Sequence, residues 1–130
     1  MNETLVPRLK FNSDGHVPAV IQDAKSLKVL TLCYMNQAAI EKTVAEGFVY
    51  VYRRSLGMLM LKGETSGHTQ KVRSIRIDCE GKSMLIQVEQ KVAACHQGYF
   101  TCYFEELQPS GFAVTEKKAF EPDNVYKKGH

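Results

Sequence analysis

Two short apolar segments, at residues 17–21 and 29–34, begin the ordered pattern of this chain. Both are rich in β-branched residues, and the polar connection 23–28 separates them, so they predict a β-hairpin. Asn36 then stands at an N-cap position, apolar residues follow it at helical spacing, and Gly47 takes the C′ position. The pattern therefore predicts one clear helix after the hairpin.

The rest of the chain predicts more strands. Residues 48–52 and 59–61 flank a polar bend that contains Gly57, which is typical of a second hairpin. The segment 62–70 has no apolar residue and is expected to be a loop. Three later segments are expected to continue the sheet, namely residues 72–79, 84–88 and 99–104.

These elements predict an α+β fold that is predominantly antiparallel β, with one main helix in a compact single domain. We expect residues 1–16 to form a flexible lead-in, residues 17–108 the domain, and residues 109–130 an irregular C-terminal tail. A chain of 130 residues that is 44% hydrophobic can bury a real core.

Charge and hydropathy argue against two classes of partner. Seventeen Lys and Arg against fourteen Asp and Glu give a net charge of +3, without a basic run, so a nucleic-acid partner is not required. No signal peptide is apparent, and no apolar run approaches the roughly 20 residues that span a bilayer. We therefore expect a soluble, cytoplasmic protein without a membrane partner.

The four cysteines are better interpreted as thiols than as disulfides, because no signal for secretion is present. Cys79, Cys95 and Cys102 lie in polar, glycine-containing segments, and three protein ligands would leave one zinc position open for water or substrate. The alternative is that cysteines are small buried apolar residues. Cys33, inside an apolar strand, is assigned to that class.

His96 could be a fourth zinc ligand, which would close the site. Adjacent side chains diverge in an extended chain, so His96 next to Cys95 is more plausibly a base or a substrate contact beside the metal. Asp78 and Glu80 flank Cys79 and favour metal binding over core filling.

Seven motifs occur in order along the chain, namely Gln22-Asp23-Ala24, Tyr34-Met35-Asn36, Arg54-Ser55, the loop from Lys62 to Val72, Asp78-Cys79, Val88-Glu89-Gln90 and Ala94-Cys95-His96-x-Gly98-x-x-x-Cys102. In this combination they resemble the phosphoribosyl-AMP cyclohydrolase family over residues 17–104. The resemblance implies hydrolysis of the N1–C6 bond of the adenine ring of 1-(5-phosphoribosyl)-AMP in histidine biosynthesis. It also implies a homodimer that uses zinc and magnesium, with the zinc held by the matching cysteines of both subunits.

Residues with candidate roles follow from the same motifs. His96 is the first candidate for the proton-transfer base and Glu64 the second, although His96 could instead orient or stack on substrate. The loop offers hydroxyls, backbone N–H groups and a lysine that can cradle a phosphate or ribose, although such a loop is by itself more often only a turn. The expected substrate-binding residues are Arg54, Ser55, Lys62, Gly63, Thr65, Ser66, Gly67 and Thr69. His68 is expected at the surface.

Two departures from the family pattern bear on the metal and on phosphate binding. Lys82 replaces a carboxylate, which argues against magnesium at Asp78 and Glu80, because magnesium favours oxygen ligands. The segment 99–101, Tyr-Phe-Thr, replaces Arg-Arg-Ser, which removes two guanidinium groups suited to phosphate. Two alternatives therefore stand beside the hydrolase, a paralogue acting on another purine-like compound and a non-catalytic zinc-stabilised dimer that binds a nucleotide. A plain sheet domain with buried cysteines is a third.

Overall fold

The computed structural model describes residues 2–53 and 55–125. The elements in chain order are α1 (Asn2–Leu5), a 3-10 turn (Val6–Arg8), β1 (His16–Asp23), β2 (Val29–Asn36), α2 (Gln37–Glu46), β3 (Tyr50–Arg53), β4 (Met58–Leu61), β5 (Gln70–Ile77), β6 (Met84–Gln90), β7 (Glu105–Gln108), β8 (Gly111–Val114) and α3 (Pro122–Val125). Most strand pairs are antiparallel, and strands β1 to β6 share one core with α2. The predicted α+β class in a single compact domain is therefore confirmed.

A four-stranded sheet in the order β2-β1-β6-β5 organises the domain. β1 pairs antiparallel with β2, as the first predicted hairpin requires, and β5 pairs antiparallel with β6. The central pair, β1 and β6, is parallel. The turn from β5 to β6 therefore lies at the end of the sheet where β1 begins, and the chain that follows β6 leaves from the opposite end.

The core forms on one face of this sheet, because alternate residues of the two central strands point to it. Val17, Ala19 and Ile21 of β1 are fully buried, as are Ile86 and Val88 of β6. Burial of these side chains against α2 and the neighbouring strands stabilises both strands.

The predicted helix is confirmed with its caps. The side chain of Asn36 accepts a hydrogen bond from Ala39 N at 2.9 Å, which satisfies a donor of the first turn. Gly47 adopts φ 78°, the left-handed conformation that ends many helices, and its N–H donates to Thr43 O. Ile40 is buried, so α2 covers the core.

The second predicted hairpin is also confirmed, as β3 paired with β4. The loop that follows extends from Lys62 to Thr69, and β5 begins at Gln70, two residues earlier than predicted. No helix among residues 2–53 and 55–125 is long and apolar enough to cross a membrane.

The expected strand at residues 99–104 is wrong. These residues form turns and a single bridge between Tyr99 and Lys118, because the chain folds back to connect to β2 through Cys102 N and Leu30 O at 2.7 Å. Residues 105–114 form the β7–β8 hairpin, in which Leu107 is paired with Phe112, so β8 lies within the expected C-terminal tail. Short strands with exposed apolar residues give a weak periodic signal, which is why the sequence pattern missed them.

The N-terminal segment packs on the domain. Leu9 is buried in the core, and Lys10 N donates to Gly81 O at 2.8 Å. A side chain at Gly81 would overlap the carbonyl of Arg8, so glycine permits this close approach. The lead-in therefore contacts the turn between β5 and β6.

Candidate active site

A cleft of about 480 Å³ lies between β2, the β3–β4 hairpin and the loop after β4. Its lining includes six of the residues that the sequence singled out, namely Lys62, Gly63, Glu64, Thr65, Ser66 and His96. Most of these come from one loop, whereas His96 comes from the segment after β6. The structure thus brings the candidate base and the candidate phosphate loop into one cavity.

The loop is held in shape by its own backbone. Gly67 N donates to Gly63 O at 2.7 Å, and Lys62 N donates to Val49 O at 2.9 Å. Gly63 has φ 84°, and a Cβ there would overlap the carbonyl of His68. Glycine is therefore required at Gly63 for the loop to close over the start of β5.

The other predicted substrate-binding residues lie elsewhere. Ser55 is exposed in the β3–β4 bend, and the cleft lining does not include Ser55, Gly67 or Thr69. Arg54 lies outside the described residues. Its neighbour Arg53 lines the cleft and places a cation there.

Several cleft residues on the strands had no site role assigned from the sequence. Thr31 and Tyr34 of β2 and Tyr52 of β3 line the cavity. Their signal is the presence of polar and aromatic residues within otherwise apolar strands. Cys33, assigned to the core, lines the cleft wall and packs against core residues, and burial raises the pKa of its thiol to about 11.

Cys95 and Cys102 meet in the segment that follows β6. Burial raises the pKa of Cys95, the Gln97 N–H at 3.5 Å from the Cys95 sulfur opposes this effect, and the Cys102 thiol adds to it through direct contact. Cys102 is anchored to β2 by its own N–H. Two soft sulfur ligands therefore stand side by side beside His96, and Cys102 lines a second cavity that His96 also lines.

Cys79 does not join them within one chain. It is exposed in the turn between β5 and β6, whereas Cys95 follows the far end of β6. β6 has seven residues, and at about 3.3 Å per residue the two ends of the sheet lie roughly 20 Å apart. Among the residues that the structure describes, no group of three or more His, Cys, Asp or Glu side chains is placed to hold one metal ion.

The two carboxylates beside Cys79 have hydrogen-bond or ion-pair partners within the turn. Asp78 accepts hydrogen bonds from Glu80 N and Lys82 N, both at 2.9 Å, and from Ser83 Oγ at 2.6 Å. The Ser83 hydroxyl and the Lys82 N–H lower the pKa of Asp78 to about 2. Lys82 Nζ lies 3.4 Å from Glu80 Oε2. The Asp78 carboxylate therefore stabilises the turn, and Glu80 forms a surface ion pair with Lys82.

His68 is not at the surface, contrary to expectation. It is 9% exposed, and its ring packs edge-to-face on Phe120 with centroids 4.6 Å apart. The polar loop in which it lies gave no sign of this burial, because Phe120 is far away in sequence.

Comparison with known proteins shows the family of the chain. The profile of the phosphoribosyl-AMP cyclohydrolase family matches residues 31–104. A protein of Pelotomaculum thermopropionicum named phosphoribosyl-AMP cyclohydrolase is 44% identical over 121 residues, which cover 92% of this chain and 94% of that protein. One of the same name from Methanosarcina acetivorans is 48% identical over 118 residues, covering 91% and 95%. A histidine biosynthesis bifunctional protein of Thermoanaerobacter pseudethanolicus is 39% identical over 125 residues, covering 96% of this chain and 58% of that protein. The chain therefore belongs to the phosphoribosyl-AMP cyclohydrolase family.

Proposed function

We propose that this protein hydrolyses the N1–C6 bond of the adenine ring of 1-(5-phosphoribosyl)-AMP, a step of histidine biosynthesis. Relatives that align over nearly the whole chain carry the name of this activity. The observation that carries the proposal is that His96 lines both the cleft and the adjoining cavity that Cys102 lines. A proton-transfer group thus stands between a phosphate-binding loop and a pair of thiols.

Zinc is the metal that these donors favour. Cys95 and Cys102 are in contact and supply two soft ligands, and Cys79 would be the third. When bound, zinc would supply a water of lowered pKa as the nucleophile. Magnesium is left out of the proposal, because the oxygens of Asp78 are hydrogen-bonded and Lys82 pairs with Glu80.

We infer a homodimer, and the positions of the three cysteines support it if all three hold one zinc ion. Two sulfurs on one zinc lie within about 5 Å of each other, since each zinc–sulfur bond is about 2.3 Å long. The ends of the sheet are too far apart for one chain to meet this condition, so Cys79 comes from a second copy. Apolar side chains exposed at and beside the cleft offer a surface for that copy, among them Leu32, Tyr34 and Met58, which are 42%, 54% and 52% exposed.

The purine chemistry requires proton transfer at two atoms. The oxygen of water bonds to C6, the electron pair of the C6–N1 bond goes to N1, and N1 takes one proton of the water. The second proton is lost to a base. His96 is exposed at the cleft and is the first candidate to accept it, and Glu64 in the same cleft is the second.

The cleft also suits an anionic substrate. The substrate carries two phosphate groups, and Lys62 and Arg53 bring two cations to the cleft. The hydroxyl of Ser66 and the backbone of the loop add hydrogen-bond donors. These groups support a phosphorylated nucleotide as the substrate, although two family arginines are absent at positions 99 and 100.

Activity and metal content measured on the same preparation test the proposal. We expect ring opening of phosphoribosyl-AMP, followed by ultraviolet absorbance, together with about one zinc per chain. His96→Ala should lower kcat by about 10²–10⁴-fold, whereas Gln97→Ala, an exposed neighbour outside the cleft lining, should leave it unchanged. Zinc bound without turnover would contradict the proposal in favour of a paralogue.

A further inference from the structure

The second cavity, of about 250 Å³, has two walls that come from different parts of the chain. One wall is the loop after β4 with the start of β5, and it includes Lys62, Ser66 and Gln70. The other wall is the segment after β6, and it includes Ala93 and His96. The proposed reaction needs both walls, because the first offers groups that bind phosphate and the second carries the candidate base. The contacts that join the walls therefore set the distance between these groups.

The side-chain amide of Gln90, the last residue of β6, joins the two walls. Its Nε2 lies 3.2 Å from His68 O in the loop, and 3.1 and 3.2 Å from Lys91 O and Ala93 O in the segment after β6. Its Oε1 accepts a hydrogen bond from Gln70 Nε2 at 2.7 Å. Three carbonyl neighbours require a donor, so the orientation of the amide is determined and its two hydrogens are shared among them.

The chain turns sharply at Val92, between two of these carbonyls. Ala93 N donates to Lys91 O at 2.8 Å, and Val92 between them has φ 59°. A three-residue turn with a positive φ at its centre is strained, above all when the central residue is β-branched. The Val92 side chain is 45% exposed, so its own packing does little to stabilise the turn. The bonds from Gln90 to the carbonyls on both sides of Val92 hold the turn in this conformation.

The segment beyond the turn has hydrogen bonds of its own. Cys95 N donates to Tyr99 O at 3.1 Å, and Gly98 N donates to Cys95 O at 3.1 Å. His96 lies within this closed stretch of chain. The internal shape of the stretch therefore does not depend on Gln90, whereas its direction relative to the loop depends on the turn from which it leaves.

We propose that Gln90 is a positioning residue, which fixes the turn at Val92 and so places His96 correctly against substrate bound by the loop. This inference rests on the proposed function, in which His96 is the first candidate for the base. The loop keeps its own shape through the backbone hydrogen bonds at Gly63 and Lys62. Substrate binding should therefore survive the loss of Gln90. Proton transfer should not, because a displacement of about 1 Å is enough to slow catalysis strongly.

Steady-state kinetics of Gln90→Leu and Gln90→Glu test this role. Both substitutions should lower kcat about 10–100-fold and leave KM within about threefold of wild type. Glutamate keeps the length of the side chain and an acceptor for Gln70, but its carboxylate cannot donate to the three carbonyls. Gln87→Leu is the matched control, because Gln87 lies on the same strand and its amide is bonded to Ser74 and Gln22 instead. Wild-type kcat in either Gln90 variant, or an equal loss in Gln87→Leu, would overturn the proposal.

A second substitution separates positioning from a general loss of structure. Glycine adopts φ 59° without strain, so adding Val92→Gly to Gln90→Leu should raise kcat at least about threefold above that of Gln90→Leu. Hydrogen exchange followed by mass spectrometry should be faster around residues 91–96 in Gln90→Leu and unchanged in the β3–β4 hairpin. Absence of rescue, or exchange that is faster to the same extent throughout the domain, would contradict the positioning role.

Wild-type protein alone gives a test that does not depend on the folding of a variant. In nuclear magnetic resonance spectra, the side-chain amide hydrogens of Gln90 should exchange with solvent at least about tenfold more slowly than those of exposed Gln97. Equal exchange at the two side chains would show that the bonds of Gln90 do not persist, and the proposal would fail. Absence of phosphoribosyl-AMP turnover in wild-type protein would instead refute the proposed function.

Discussion

Complementation between two inactive cysteine variants tests whether the zinc site spans two copies of the chain. Cys79→Ser removes the thiol at one end of the sheet, and Cys102→Ser removes a thiol at the other end. In the proposed dimer, each zinc site takes Cys79 from one copy and the Cys95–Cys102 pair from the other. Either substitution alone therefore removes a zinc ligand from both sites. We expect each purified variant to be inactive.

The magnitude of recovery follows from the geometry. In a hybrid dimer of the two variants, one site carries both substitutions and the other site carries neither. Random mixing at equal amounts makes half of the dimers hybrids, so about one quarter of all sites are intact and about one quarter of wild-type activity returns. If one chain supplied all three thiols, every site would lack a ligand and no activity would return.

The assay uses the two variants refolded together or produced together, with ring opening followed by ultraviolet absorbance. Cys95→Ser mixed with Cys102→Ser is the matched control, because both thiols belong to the same half of the site and each hybrid site still lacks one. Light scattering verifies that every variant is dimeric. Absence of recovery in dimers that contain Cys79→Ser, or equal recovery in the control, would refute the two-copy site.

Three substitutions and the alkylation of Cys33 probe the cleft and the core. Lys62→Ala should raise KM about 10–100-fold with a smaller effect on kcat, as expected for a cation that binds phosphate, and an unchanged KM in steady-state kinetics would exclude that role. Gly63→Ala should abolish activity and cost at least about 1 kcal/mol in urea unfolding, because its φ is 84° and a Cβ would overlap the His68 carbonyl; wild-type stability would contradict this. Ile86→Ala, at a site with 0% exposure, should cost about 2–5 kcal/mol in the same assay. Burial raises the pKa of Cys33 to about 11 from 9.0, so at pH 8 Cys33 should be alkylated about 100-fold more slowly in folded protein than in urea-unfolded protein. The rate in folded protein should rise as the pH rises toward 11. Equal rates in the two states, measured by peptide mass spectrometry, would contradict the burial.

Local patterns were sufficient for the elements that depend on neighbouring residues. The N-cap at Asn36 and the left-handed Gly47 bound α2 as predicted, because caps satisfy backbone groups within one turn. The β3–β4 hairpin and the polar loop from Lys62 followed from the same kind of local signal. The strand expected at 99–104 was wrong because packing against β2 decides the conformation of that segment.

Several residues of the candidate site could also be predicted from the sequence. Lys62, Ser66 and His96 were singled out from residue type and motif, and the structure places all three on one cleft. The burial of individual polar side chains could not be predicted from the sequence. His68 and Gln70 are polar residues of a polar segment, and only the folded chain shows that both are buried.

The sequence by itself determined the family, the helix with its caps, and the residue types available for metal and phosphate, because each depends on chemistry carried by a few adjacent residues. Only the tertiary structure decided which of those residues meet. Antiparallel pairing of β5 with β6 sends consecutive connections to opposite ends of the sheet, so Cys79 lies apart from Cys95 and Cys102 although spacing along the chain suggests one cluster. The direction of each strand in the sheet, which no local sequence pattern encodes, is the physical reason for this separation.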